Sequence, residues 1–253
     1  MTFGEDADLT SALVRAYVRG FQGERLGPDS VATMTKHFPG GGPQRDGEDP
    51  HYGYGREQVY PGAQQEYHLA PFRAALEAGT SQVMPYYGMP VGTGWEEVGF
   101  AFNRPVIAGL LRAELGFDGI VCTDWGLITD TTFAGEPMPA RAWGVEELSP
   151  AERVARALDA GVDQFGGESC PELMLELVRS GAVAEARLDV SVRRLLREKL
   201  VLGLFDAAPL NIERALATIG RADFVAAGDA AQRASITRLT GPSGGPGGAA
   251  AET

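Results

Sequence analysis

Residues 104–126, RPVIAGLLRAELGFDGIVCTDWG, decide how the rest of the chain is read. Pro105 sits near the first turn of residues 104–115 and Gly116 follows their end, the usual start and stop asymmetry of a helix. Gly119–Thr123 is a short, nearly continuous apolar run, the signature of a parallel strand covered on both faces. The run ends on a carboxylate and an indole, Asp124 and Trp125.

The same rhythm extends outward in both directions. Leu9, Leu13, Val14, Tyr17, Val18 and Phe21 form one apolar face of a helix over 9–23. A β-branched run at Val31–Thr35 predicts a strand, and a polar Gly/Pro/Asp loop follows from Pro39 to about Gly62. A helix is expected over 64–78 and a strand over Gln82–Tyr87. Downstream, Ser149-Pro150 with Glu152 in the first turn opens a helix over 150–160. Val162–Phe165 reads as a strand, and helices are expected at 171–180 and 185–201. No antiparallel hairpin signal interrupts this α/β alternation, which argues for a parallel sheet with helices outside. Four strands are half of an eight-stranded barrel, so the front strands are expected to lie outside this sequence. Residues 223–239 read as a helix running into a strand start (SITRL), and GPSGGPGGAAAET at 241–253 as a disordered tail with no packing face.

The formal charge is −12, from 34 acidic and 22 basic residues. That balance disfavours nucleic acid and anionic membranes as partners, since phosphates would be repelled, and fits a neutral or cationic ligand. Cys122 and Cys170 show no metal-ligand spacing and read as unpaired thiols. No run approaches the ~18 apolar residues of a membrane span. The first residues lack a signal-peptide pattern. Location is left open, with the cytoplasm as the default.

Four segments at strand ends could carry chemistry, because ligands bind at the C-terminal ends of parallel strands. Lys36 and His37, followed by Pro39-Gly40-Gly41-Gly42, can donate hydrogen bonds to vicinal hydroxyls, although a Gly-rich turn with a solvated lysine has the same pattern. Asp124 stands beside Trp125, an aromatic plane that can stack on a sugar ring; an Asp at that place also commonly caps the next helix. Tyr86 and Tyr87 end the Gln82 strand, where a hydroxyl can keep a carboxylate ionised or the rings can simply pack. The loop Arg45–His51 holds three carboxylates and a histidine, enough for a general acid, a metal ligand or a solvated surface.

Taken together, FGED at 3–6, TMTKHFPGGG at 33–42, VMPYY at 83–87, GFDGIVCTDWG at 116–126, AGVDQF at 160–165 and SVRRLLREKLVLGLFD at 191–206 resemble the family 3 glycoside hydrolases. The resemblance covers most of residues 3–206, in the family's order. It implies a TIM-like (β/α) barrel and a retaining β-glucosidase-like exo-hydrolase that needs no metal or other cofactor. It also implies Asp124 as the nucleophile, Lys36 and His37 on sugar hydroxyls, Trp125 walling the next subsite, and Tyr87 beside the nucleophile. Retention requires a second carboxyl about 5–5.5 Å away as the acid. Two-domain members carry that acid on a following α/β-sandwich domain, and this chain departs from the pattern at AAQRASIT, residues 230–237. Single-domain N-acetylglucosaminidase members use an Asp-x-His dyad instead, which Asp49-Pro50-His51 echoes within a longer loop.

The expected organisation is therefore a partial barrel over 1–206, a helical linker and the start of a truncated second domain over 207–240, and a tail over 241–253. The expected substrate is a β-linked glucoside or short oligosaccharide. The alternatives are an inactive fragment or weak sugar-binding module, and a β-N-acetylhexosaminidase.

Overall fold

The computed structural model describes residues 3–133, 135–206 and 210–237. The chain divides into two compact units, Met1–Asp206 and Ala207–Thr253.

The first unit is built on four parallel strands, β1 (Met34–Phe38), β3 (Gln82–Pro85), β5 (Ile120–Trp125) and β8 (Gln164–Gly166), lying in that order. Adjacent strands in the sheet follow one another along the chain, and helical segments connect them, as parallel pairing requires. β2 (Glu57–Gln58) and β4 (Met89–Pro90) form a separate short parallel pair. The helices are α1 (Ala7–Gln22), α2 (Gln65–Glu77), a π-wound helix at Pro105–Glu114, α3 (Pro150–Ala160), α4 (Pro171–Arg179) and α5 (Glu185–Val201). The core between sheet and helices is filled by Phe38, Val83, Phe100, Phe102, Ile107, Leu111, Val121, Ile128 and Leu158, all buried.

Local chemistry sets several boundaries. Ser149 and Glu152 cap α3 reciprocally, as the sequence suggests: Ser149 N–H donates to Glu152 Oε2 at 2.8 Å and Glu152 N–H to Ser149 Oγ at 3.4 Å. Strand β1 begins at Met34 rather than Val31. Buried Gln22 accounts for the shift, because its Oε1 accepts the Thr33 and Ser81 N–H groups and Val31 N–H closes back on Phe21. Strand β8 likewise starts later than Val162, whose N–H still satisfies the Ala157 carbonyl at the end of α3. β3 stops at Pro85, short of the expected Tyr87.

The expectation of no antiparallel pairing is corrected by a hairpin, β6 (Thr131–Phe133) with β7 (Glu136–Met138). Its three-residue strands, TTF and EPM, are too short to show the alternation that would mark a half-buried pair. Cys122 and Cys170 are unpaired.

Asp163, ahead of β8, fastens helices to the sheet. Its side chain is 0% exposed. It accepts from Arg112 at 2.5 Å, Val121 N–H at 3.0 Å, Ser191 Oγ at 2.8 Å and Arg194 at 3.0 Å. One carboxylate thus joins the π-wound helix, β5 and α5.

The second unit contains α6 (Ile212–Thr218), N-capped by Asn211, and α7 (Ala222–Ser235). Ile236 and Thr237 do not start a strand; Arg238 and Leu239, and the tail expected over 241–253, lie outside the described residues. No helix among the described residues is long and apolar enough to cross a membrane.

Candidate active site

The C-terminal ends of three neighbouring strands converge on one carboxylate. Asp124 and Trp125 are the last two residues of β5 rather than the start of the loop after it, because Trp125 pairs with Gly166 across an irregularity in the β5–β8 ladder. From β1, His37 Nε2 lies 3.1 Å from Asp124 Oδ2. From the end of β3, the Tyr87 hydroxyl lies 3.0 Å from Asp124 Oδ1 and 2.6 Å from the Trp125 carbonyl, and it accepts the Trp125 N–H at 3.1 Å. The Trp125 N–H also points to Asp124 Oδ1 at 2.8 Å. Asp124 is therefore engaged with the groups around it, not with the start of a following helix.

Burial alone would raise the Asp124 pKa. The His37 hydrogen bond, the Trp125 amide and the Tyr87 hydroxyl outweigh it and hold the carboxyl below its ordinary value. Burial, then the negative charge of Asp124, pushes the Tyr87 phenol up, so its proton stays available for donation. Tyr86 is pushed up to about 12 by burial and by Asp49 and Asp124; its ring packs on His37 at 5.3 Å between centroids.

Trp125 is 64% exposed. Its indole rests on Gly166 and Gly167: a Cβ at either would meet the ring at 2.8 and 2.7 Å, and Gly167 has φ +65°. One ring face therefore lies on backbone, and the side chain still presents a broad apolar surface outward. Glu168 then takes the Ile128 N–H at 3.0 Å and the Thr129 hydroxyl at 2.8 Å, closing the segment after Trp125.

The Asp49 loop reaches the same place. His51 Nδ1 is 2.6 Å from Asp49 Oδ1, and the His51 ring meets Tyr87 edge-on at 4.8 Å. Trp143 Nε1–H donates to the Pro50 carbonyl at 2.8 Å, which pins the loop. Burial raises the Asp49 pKa, but His51, through backbone and side-chain hydrogen bonds and its charge, and then Arg141 bring it below its ordinary value. Arg45, Asp46 and Glu48 of that loop are exposed, and the Asp49 and His51 side chains are themselves about half exposed.

Lys36 is exposed and lines, with His37, Gly41, Tyr86, Glu5 and Asp6, a cleft of about 370 Å³ beside β1. The structure thus brings His37, Tyr87, Asp124 and Trp125 together, sets His51, hydrogen-bonded to Asp49, against Tyr87, and places Lys36 at the adjoining cleft. Among the described residues, no group of three or more His, Cys, Asp or Glu side chains could hold a metal ion.

Sequence reasoning missed Arg141, Trp143, Glu168 and the glycine seat of Trp125. The one signal available was a lone arginine inside the apolar run Met138–Trp143.

Residues 1–198 match the family model described as the glycosyl hydrolase family 3 N-terminal domain, and the chain belongs to that family. It is 59% identical over 240 residues to beta-glucosidase C of Emericella nidulans, covering 94% of this chain and 39% of the relative. It is 40% identical over 254 residues to a periplasmic beta-glucosidase/beta-xylosidase of Dickeya chrysanthemi, with the same coverage of 94% and 39%. The chain thus spans 39% of the length of these relatives. Among solved structures it is similar to the Q683A mutant of an exo-1,3/1,4-beta-glucanase from a Pseudoalteromonas species, with TM-score 0.73, 25% identity, and coverage of 91% and 35%.

Proposed function

We propose that this chain carries the nucleophile side of the active site of a retaining, exo-acting β-glucosidase. The supporting observation is Asp124: a carboxylate at a parallel-strand end, held ionised by His37, Tyr87 and the Trp125 amide. On this reading, Asp124 attacks the anomeric carbon, the new C1–O bond forming as the glycosidic C1–O bond breaks and the leaving oxygen takes up a proton. Water then attacks C1, gives up a proton to a base, and returns Asp124 as a carboxylate with the anomeric configuration retained. Lys36 and His37 bind sugar hydroxyls, and Trp125 stacks on the leaving group. β1 and β8, each hydrogen-bonded on one side only among the described residues, are strands of a TIM-like barrel that further strands complete.

The experiment is hydrolysis of an aryl β-glucoside by the full chain. Turnover that disappears in Asp124→Ala supports the reading; no turnover, together with no covalent label on Asp124 from a 2-fluoro-glycoside, leaves an inactive fragment or weak sugar binder and rejects it.

The Asp49–His51 pair supports a second reading, in which His51, oriented by its hydrogen bond to Asp49, protonates the leaving oxygen. Asp49→Asn or His51→Ala would then slow substrates with poor leaving groups far more than activated aryl glycosides, which need little protonation. Equal slowing of both classes would reject it.

Two expected outcomes follow from the geometry. His37→Ala removes the largest contribution lowering the Asp124 pKa, so the acid limb of the pH–rate profile for Asp124 labelling moves upward. The sign follows from linkage: a carboxyl with a lowered folded pKa stays charged to lower pH, and losing its donor reverses that. Gly167→Ala places a Cβ against the Trp125 ring and displaces it. KM for aryl β-glucosides is expected to rise roughly 2- to 12-fold, the worth of one aromatic stack, with kcat little changed. Steady-state kinetics on both variants checks these outcomes.

A further inference from the structure

Arg141 is 8% exposed, yet among the described residues its guanidinium has no carboxylate within ion-pair distance, and its Nε has no hydrogen-bond partner. A buried guanidinium without a paired carboxylate is costly and persists where its charge is used. The side chain lies over the Tyr87 ring, 5.5 Å from its centroid. One Nη–H donates to the Trp125 carbonyl at 3.4 Å, and the other lies 3.4 Å from Met138 Sδ. The Arg141 main-chain N–H donates to the Gly126 carbonyl at 2.8 Å. Gly126 is required by this approach: at φ +68°, a Cβ there would lie 2.6 Å from the guanidinium. Main chain and side chain together clamp the turn that follows Asp124 at the end of β5.

Tyr87 joins these contacts. Its hydroxyl is on Asp124, the edge of His51 meets its ring, and Arg141 lies over the same ring. We infer that Arg141 is a positioning residue, whose buried charge and fork hold Tyr87 and the Trp125 carbonyl and so place Asp124, and the His51–Asp49 pair that packs on the same phenol ring, as one unit. The inference rests on the glycosidase reading of Asp124 and adds a residue to it. The groups that bear on Asp49 are His51 from its own loop, Arg141 from the segment after β7, and Tyr86 from the end of β3.

The test uses the full chain with [4-13C]aspartate and the variants Arg141→Met and Arg141→Lys. In Arg141→Met the Asp49 carboxyl titration is expected to move upward, and labelling of Asp124 by a 2-fluoro-glycoside to slow about 10- to 100-fold, the size of a small misplacement. Arg141→Lys keeps the charge and loses the fork, so the Asp49 titration stays near wild type while labelling still slows. An unmoved Asp49 titration in a folded Arg141→Met overturns the inference, whatever happens to the labelling rate. If Arg141→Met does not fold, Arg141→Lys decides: labelling at the wild-type rate overturns it. A wild-type chain that takes no label rejects the glycosidase reading instead, and the Asp49 titration still decides the placement of Arg141.

Discussion

Replacing Asp124 with alanine is expected to reduce hydrolysis of an aryl β-glucoside by ~10⁴-fold or more, the scale on which removing a covalent nucleophile acts in other enzymes. The loss falls on kcat, because the carboxylate forms a bond that no neighbour can form: His37 and Tyr87 offer donors, not a second carboxylate. The variant should fold, since the residues around Asp124 keep their places through the Tyr87–Trp125 contacts and the β5–β8 pairing. Azide added to Asp124→Ala occupies the vacated space and attacks the same face of the sugar. The expected product is a glycosyl azide of inverted configuration, identified by NMR, together with partial recovery of rate. Linkage adds a second readout. With its folded pKa lowered, Asp124 contributes stability that is present above its unfolded value near pH ~4 and is lost as pH falls through the folded value. The alanine variant should therefore differ from wild type in thermal stability at neutral pH and converge with it in acid.

The second large effect is on stability and lies away from the site. Asp163→Ala removes the acceptor shared by Arg112, Arg194, Ser191 Oγ and the Val121 N–H. Arg112 keeps only partial compensation, from the Phe117 and Gly119 carbonyls, while its charge stays buried. Breaking such a buried pair from one side costs about 3–5 kcal/mol. For a unit of this size that corresponds to a fall in Tm of roughly 6–20 °C. Calorimetry or thermal circular dichroism measures it. A fall of only a degree or two would mean that the arginines find other acceptors. Arg197→Ala provides the contrast: its partner Asp118 is solvent-exposed, so the loss there is expected to be under about 1 kcal/mol.

The fold was legible wherever burial alone dictates residue type. The apolar run before Asp124 reads as a doubly covered strand, and the helices over α2, α3 and α5 follow from their apolar spacing and end signals. The boundaries that shifted depend on partners distant in sequence. Gln22 holds Thr33 and Ser81 and delays β1; Val162 is retained by the end of α3 and delays β8; Trp125 is drawn into β5 by pairing with Gly166. The hairpin β6–β7, with three residues in each strand, is too short to carry a readable alternation.

The same distinction applies to the site. His37, Tyr87, Asp124 and Trp125 stand at or beside strand ends, and the TIM-like arrangement brings strand ends together. Arg141, Trp143 and Glu168 act on those residues from segments whose own sequence signals little. What a buried arginine faces is decided by tertiary contact, here the ring of Tyr87 and the turn at Gly126. In the loop 45–51 the Asp-x-His spacing of Asp49 and His51 was legible, but that the His51 ring is turned onto Tyr87 was not; that placement depends on tertiary contacts such as the Trp143–Pro50 hydrogen bond.

The most direct measurement is mass spectrometry of the full chain after incubation with an activated 2-deoxy-2-fluoro-β-glucoside, which slows breakdown of a glycosyl ester more than its formation. The expected result is one fluoroglucosyl group on the peptide containing Asp124, absent from Asp124→Asn and prevented by excess glucoside. Attachment to a different carboxylate, such as Asp49, or turnover of aryl glucosides that persists in Asp124→Asn with no adduct anywhere, would contradict the assignment of Asp124 as the nucleophile.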